Sequence, residues 1–239
     1  MSFILNYPLE ENTPQRYNYY RYNHNDKYLI RRNGNERINM KKNLFKTKFN
    51  TAVIVLIPVC IGINFLGKFI AAQLKLPLWL DCIGTCIGAV LGGPVIGAIC
   101  GAVNNLVYTI TTGDVQSWPY FLTSIGIGLT VGIMARLGNM EKFGKALVTA
   151  FVVVVVAVAI STPINVILWG GTTGVVFGDA VFTFLREKGV GLWLASLCDE
   201  ALIDLIDKFL TIVITFFIVK ALPKTITSVY SVGDEIKNL

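Results

Sequence analysis

The stretch Cys198–Val219, CDEALIDLIDKFLTIVITFFIV, decides how this chain folds. Its second half is apolar enough for a lipid bilayer, while its first half carries Asp199, Glu200, Asp204, Asp207 and Lys208. On a helix turning about 100° per residue, Glu200, Asp204 and Asp207 fall within about 60° of one another, with Lys208 on the flank. A carboxylate at the bilayer centre costs about 2.5–3.5 kcal/mol on insertion scales, so such a stripe is tolerated only against protein or a watery cavity. The segment is therefore expected to face lipid at one end and to turn its acids into a bundle at the other. Asp207 and Lys208 read first as structural, paired with each other or with Lys68. Glu200 and Asp204 read as candidate ligand-binding acids.

The rest of the chain agrees with a membrane setting. Of 239 residues, 54% are hydrophobic and 15% charged, against about 25% charged in a soluble domain. The mean hydropathy is +0.60. Apolar blocks at Thr51–Leu74, Trp79–Ile110, Tyr120–Leu137, Ala146–Trp169 and Leu192–Leu222 each reach the roughly 20 residues that a spanning helix needs. The second is too long for one crossing, and Gly92-Gly93-Pro94 is a turn signal inside it, because Gly admits positive φ and Pro disfavours helix before it. The expected fold is an all-α integral membrane protein, a six-transmembrane-helix bundle with both termini cytoplasmic. Orientation follows from Lys and Arg: ten precede the first span, and Arg136, Lys142 and Lys145 share the fourth connection. The +6 net charge is thus read as membrane anchoring, with no nucleic-acid partner.

Residues 1–48 read as a basic, disordered cytoplasmic segment, 49–222 as the membrane domain and 223–239 as a cytoplasmic tail. Met40, followed by KKNLFKTKF, resembles the start of a bacterial inner-membrane protein, and residues 1–39 are expected to be a dispensable extension or an upstream mis-start. The five cysteines read as small packing residues. The only His is His24, so no metal site is expected.

Other polar residues collect at the outer level of the spans. Asn64 and Lys68 stand one turn apart late in the first span, and Asp81 opens the second. Asn104, Asn105 and Tyr108 lie in the third; Thr112, Asp114, Trp118 and Tyr120 follow on the next outer loop. The fifth span has a break expected at Pro163, then Asn165, Trp169 and a Gly-rich exit. The candidate substrate-binding set is Asn64, Lys68, Asp81, Asn104, Asn105, Tyr108, Trp118, Asn165, Trp169, Glu200 and Asp204. Amides, aromatics and carboxylates at one depth suit a small, flat, polar molecule. Glycines recur every fourth residue at Gly84, Gly88, Gly92, at Gly93, Gly97, Gly101, and at Gly128, Gly132, a pattern for close helix packing or for a membrane partner. No phosphate-binding loop, HExxH or GxSxG occurs, and no catalytic residue or cofactor is expected.

The order of INFLGKFIAAQLKLPLWLDCIGT, LGGPVIGAICGAVNNLVY, LWGGTTG, DLIDK and ALPK resembles the substrate-binding S components of energy-coupling factor (ECF) transporters, over about residues 40–224. The resemblance implies six helices, an outer pocket for a vitamin or related micronutrient, a transmembrane T component and two cytoplasmic ABC ATPases as partners, and a multi-pass place in the bacterial cytoplasmic (inner) membrane. It matches Asn64, Asp81, Asn104 or Asn105, Glu200 and Asp204 to polar positions of the family. The AxxxA motif of the first helix is replaced by Pro58 with Gly62 or Gly67 with Ala71. A carboxylate- and amide-rich pocket favours a neutral or cationic molecule with several N–H donors, such as a thiamine-, pyrimidine- or deazapurine-like heterocycle, over an anion. A stand-alone proton- or cation-coupled carrier is the alternative, with the acidic stripe as its ion path; a sensor domain is a second.

Overall fold

The computed structural model describes residues 4–5, 20–23, 28–31, 37–39, 45, 47 and 49–230. The chain forms two units, Met1–Asn43 and Leu44–Leu239. In the first, β1 (Ile4–Leu5), β2 (Tyr20–Asn23), β3 (Tyr28–Arg31) and β4 (Arg37–Asn39) pair antiparallel in sequence order. YRYN and YLIR carry the aromatic and branched residues that suit a pleated ladder.

The second unit is helical: α1 (Thr51–Gln73), α2 (Ile83–Gly92), α3 (Pro94–Thr112), a 3-10 turn (Trp118–Tyr120), α4 (Phe121–Arg136), α5 (Phe143–Trp169), α6 (Val176–Glu187), α7 (Leu192–Ala221) and α8 (Lys224–Tyr230). Among the described residues four segments are long and apolar enough to cross a membrane: α1, α3, Trp118–Arg136 and α5. Large side chains such as Ile54, Val55, Val59, Leu66, Phe151 and Val155 are exposed on them, as expected of a surface meeting acyl chains. α7 has the length, but its charges keep it outside that apolar class. Neither α6 nor α8 was anticipated: α6 follows the Gly-rich exit and α8 falls in the expected tail.

α2 sits at the centre, touching α1, α3, α4 and α7, and Gly84 to Gly92 are all buried. The glycine repeats make this possible. A Cβ on Gly84 would stand 1.9 Å from the Cys60 carbonyl oxygen, and one on Gly128 would stand 2.4 Å from the Gly97 carbonyl carbon. The small faces therefore serve packing inside the bundle, α1 on α2 and α3 on α4. Cys60, Cys82, Cys86 and Cys100 are buried and free in the same core.

The turn at Gly92-Gly93-Pro94 falls where the sequence places it. Gly93 closes α2 and opens α3 with φ +96° and ψ 177°, and Pro94 takes the first helical position. A Cβ on Gly93 would meet Arg136 Nη2 at 2.8 Å. Only Gly adopts that backbone without strain, so Gly93→Ala should lower the melting free energy by about 1–3 kcal/mol. Thermal unfolding in a mild detergent measures it; an unchanged midpoint would refute the strain.

Two expectations differ. Pro163 lies inside an unbroken α5; neighbouring helices and hydroxyl side chains re-satisfy a freed carbonyl in a bundle. α2 starts at Ile83 rather than Trp79 and has 10 residues, about 15 Å at 1.5 Å each. The preceding residues are not helical because their backbone is held elsewhere: Leu80 has φ +51°, and α7 binds its N–H.

Candidate functional site

That hold comes from Asp207, which is wholly buried. Its Oδ1 accepts hydrogen bonds from the backbone N–H of Trp79 (3.1 Å) and Leu80 (2.9 Å), and its Oδ2 accepts from Lys208 Nζ at 2.5 Å. Lys208 also lies 3.3 Å from Asp204 and 3.9 Å from Asp81. One acid of the stripe thus pins the α1–α2 loop to α7, and Lys208 ties three carboxylates together.

Beneath that loop is a cavity of about 250 Å³. α1, α4, α5 and α7 wall it, and the α1–α2, α3–α4 and α5–α6 loops bound it on one end of the bundle. Its charges are four carboxylates, Asp81, Asp114, Glu200 and Asp204, against two ammonium groups, Lys68 and Lys208. Hydroxyls of Ser117, Thr123, Ser124 and Ser161 and the rings of Trp79, Tyr120 and Trp169 complete the lining.

Each loop is held by a charged side chain. Lys68 Nζ donates to Ser117 Oγ at 2.7 Å and sits 4.5 Å from the centre of the Tyr108 ring; Ser117 in turn donates to Asp114. In α6, Asp179 Oδ1 accepts from the backbone N–H of Thr173 (2.9 Å) and Gly174 (3.2 Å), while Thr173 Oγ1 reaches Asp199 Oδ1 at 3.2 Å. Behind the wall, Tyr120 donates to Asn165 Oδ1, and Asn165 Nδ2 donates to Glu200 Oε2 at 2.7 Å. That chain fixes the Asn165 amide and the Glu200 carboxylate. Asp204 differs: it is 2% exposed, and among the described residues its Oδ2 has no hydrogen-bond partner. A buried carboxylate oxygen without a donor is costly, so a donor supplied from the cavity would complete it.

Of the candidate residues, Lys68, Asp81, Trp169, Glu200 and Asp204 line the cavity, and Asn165 supports it from behind. The others lie elsewhere. Trp118 is 45% exposed and stacks on Phe121, in the manner of a membrane-interface ring. Tyr108 packs under Lys68 and against Phe65. Asn105 joins α3 to α4 through Ser124 Oγ at 2.7 Å, and Asn104 is buried with no hydrogen-bond partner among the described residues.

Asn64 has a structural duty. Cys82 makes no side-chain cap for α2. Instead Asn64 Oδ1, from α1, accepts from the N–H of Gly84 (2.7 Å) and Thr85 (3.2 Å), and Asn64 Nδ2 donates to Thr85 Oγ1 (2.8 Å). Asn64→Leu should cost about 1–3 kcal/mol by stranding two buried N–H groups. It should leave ligand affinity within about a factor of two, since Asn64 is outside the cavity wall. A melt paired with a binding titration checks both.

The hydroxyls Thr123, Ser124 and Ser161 gave no sequence signal, because Ser and Thr commonly hydrogen-bond within apolar helices. Asp114 and Tyr120 were visible on the outer loop without being distinguished from loop and belt residues. Among the described residues no group of three or more His, Cys, Asp or Glu is placed to hold a metal.

A multi-pass helical membrane protein with a ligand-sized polar cavity at one end belongs to the class of membrane binding and transport proteins. The family can be given: the model described as ECF transporter, substrate-specific component, matches residues 52–232, and the chain belongs to that family. It is therefore a substrate-specific subunit of an ECF transporter, a transport component and not an enzyme. Its family implies a T component, ATPases and a small-molecule substrate as partners. No curated protein and no solved structure matches the chain.

Proposed function

We propose that the cavity is the substrate site of an ECF vitamin or micronutrient importer in a bacterial cytoplasmic membrane. The bundle crosses six times, through α1, α2, α3, Trp118–Arg136, α5 and α7, with both termini cytoplasmic and the three cavity loops outside. The substrate is a small, flat, neutral or cationic heterocycle with several N–H donors, of the pyrimidine or deazapurine kind. The unpartnered Asp204 Oδ2 beside Glu200 carries this reading. Ionised carboxylates only accept hydrogen bonds, and Trp79, Tyr120 and Trp169 supply faces for a flat ring. The loaded subunit hands its cargo to the T component and two ATPases. The alternative of a stand-alone cation-coupled carrier loses support from Lys208, which ion-pairs with Asp204 and Asp207, two of the three acids in the stripe that would conduct the ion.

Uptake in cells expressing this chain with and without T and ATPase subunits tests the proposal. Accumulation that requires the ATPases and survives an uncoupler is expected. Accumulation by this chain alone that collapses with the uncoupler would replace the proposal with the carrier.

A further inference from the structure

α6 has three sides. Plotted at about 100° per residue, Val176, Ala180, Phe184 and Phe177 share one sector of about 100°. All four are exposed, Val176 at 84%, Phe184 at 57% and Phe177 at 52%. Next around the helix come Val181, Leu185, Gly178 and Phe182, which are buried or half-buried. The third sector holds Arg186, Asp179 and Thr183; Glu187, the last residue of the helix, falls inside the first sector between Val176 and Ala180. One side thus meets protein, one is polar, and one is bare and apolar except for Glu187 at the helix end.

The packing partner fixes the depth. A Cβ on Gly178 would stand 2.0 Å from Asp199 Oδ1 and 3.0 Å from Ile203 Cγ1, so α6 lies directly on that turn of α7. α7 has 30 residues, about 45 Å at 1.5 Å each, against a hydrocarbon core of about 30 Å. Counting about 20 residues back from Ala221 reaches Leu202, which puts Asp199–Ile203 at the core's edge. Beyond it α7 exposes Trp193, Leu194 and Leu197. A helix with an apolar and a polar side at this depth suits the plane of the interface.

We propose that α6 is an in-plane interfacial helix whose Val176, Phe177, Ala180 and Phe184 sector is seated in the acyl-chain and headgroup boundary of the bilayer. The seat has a consequence for the cavity. Asp179 of the same helix holds the N–H groups of Thr173 and Gly174, which form part of the cavity rim. Lipid thus steadies the rim through α6. The inference uses the bundle's membrane placement and neither the substrate nor the T component, so it fails or stands apart from the proposed function.

The test is a depth measurement on the full chain in phosphatidylcholine–phosphatidylglycerol vesicles. Cys198→Ser removes the one cysteine that is not buried, and a bimane dye is attached after Ala180→Cys, Phe184→Cys or Arg186→Cys. At 180 and 184, quenching by a shallow acyl-chain nitroxide lipid should exceed quenching by aqueous iodide several-fold, and at 186 the order should reverse. Iodide quenching at 184 equal to that at 186 would overturn the proposal. Protection of 184 from both quenchers would also overturn it, by revealing a protein on that face. If labelled chains fail to purify, the wild-type chain is photolabelled with a diazirine lipid. Adducts within 176–184 support the seat; their absence while α1 is labelled refutes it.

Discussion

Glu200→Gln with Asp204→Asn should weaken binding of the co-purifying ligand by at least about two orders of magnitude, since a hydrogen bond to a charged group contributes about 1.5–3 kcal/mol and two are weakened together. Shape is nearly unchanged by these substitutions, so lost affinity reports charge and acceptor capacity rather than a hole. Each amide also offers an N–H₂ donor where a carboxylate accepted, which sets donor against donor at the ligand. Asn165 Nδ2 already donates to Glu200, so the Gln must also turn its oxygen toward that amide. Isothermal titration against the ligand released from wild type reads the loss. Affinity within a few-fold of wild type would remove both acids from the site.

Asp207→Ala should be the most destabilising single change in α7. It removes the nearest of the three carboxylates around buried Lys208 and leaves the N–H groups of Trp79 and Leu80 without their acceptor. Breaking a buried pair from one side costs about 3–5 kcal/mol, a large share of the 5–15 kcal/mol typical of a folded domain. Asp207→Asn keeps an acceptor for the loop while removing the charge, so it should fall between wild type and Asp207→Ala. Melting curves in detergent give the order. A pair of equal midpoints for Asn and Ala would mean that the loop contacts contribute nothing and only the ion pair matters.

These two predictions separate the acids that the sequence presents as one stripe. Periodicity placed Glu200, Asp204 and Asp207 on a common face, and insertion energetics turned that face inward. Sequence distance hides the rest: Asp207 reaches a loop 127 residues away, and no local pattern announces a carboxylate that binds backbone N–H groups across a bundle. Asn64 misled for the same reason. An amide in a span marks a site by default, and only the uncapped start of α2 explains this one. The Gly93 turn and the glycine faces were legible because Gly and Pro act locally. α6 was not, since 12 residues with an apolar side resemble a loop when both flanks are Gly-rich. The β strands at 20–23 and 28–31 are too short for an alternation to stand out from a Tyr- and Arg-rich segment.

The central claim is that the α7 acids and the aromatic rings hold a small N–H-rich heterocycle at one end of the bundle. Native mass spectrometry of the chain purified from rich medium, with the released molecules identified, tests it most directly. The account predicts a neutral or cationic heterocycle at near-stoichiometric amount, absent from the Glu200→Gln, Asp204→Asn chain. A multiply charged anion bound in its place, retained by that double variant, would contradict it.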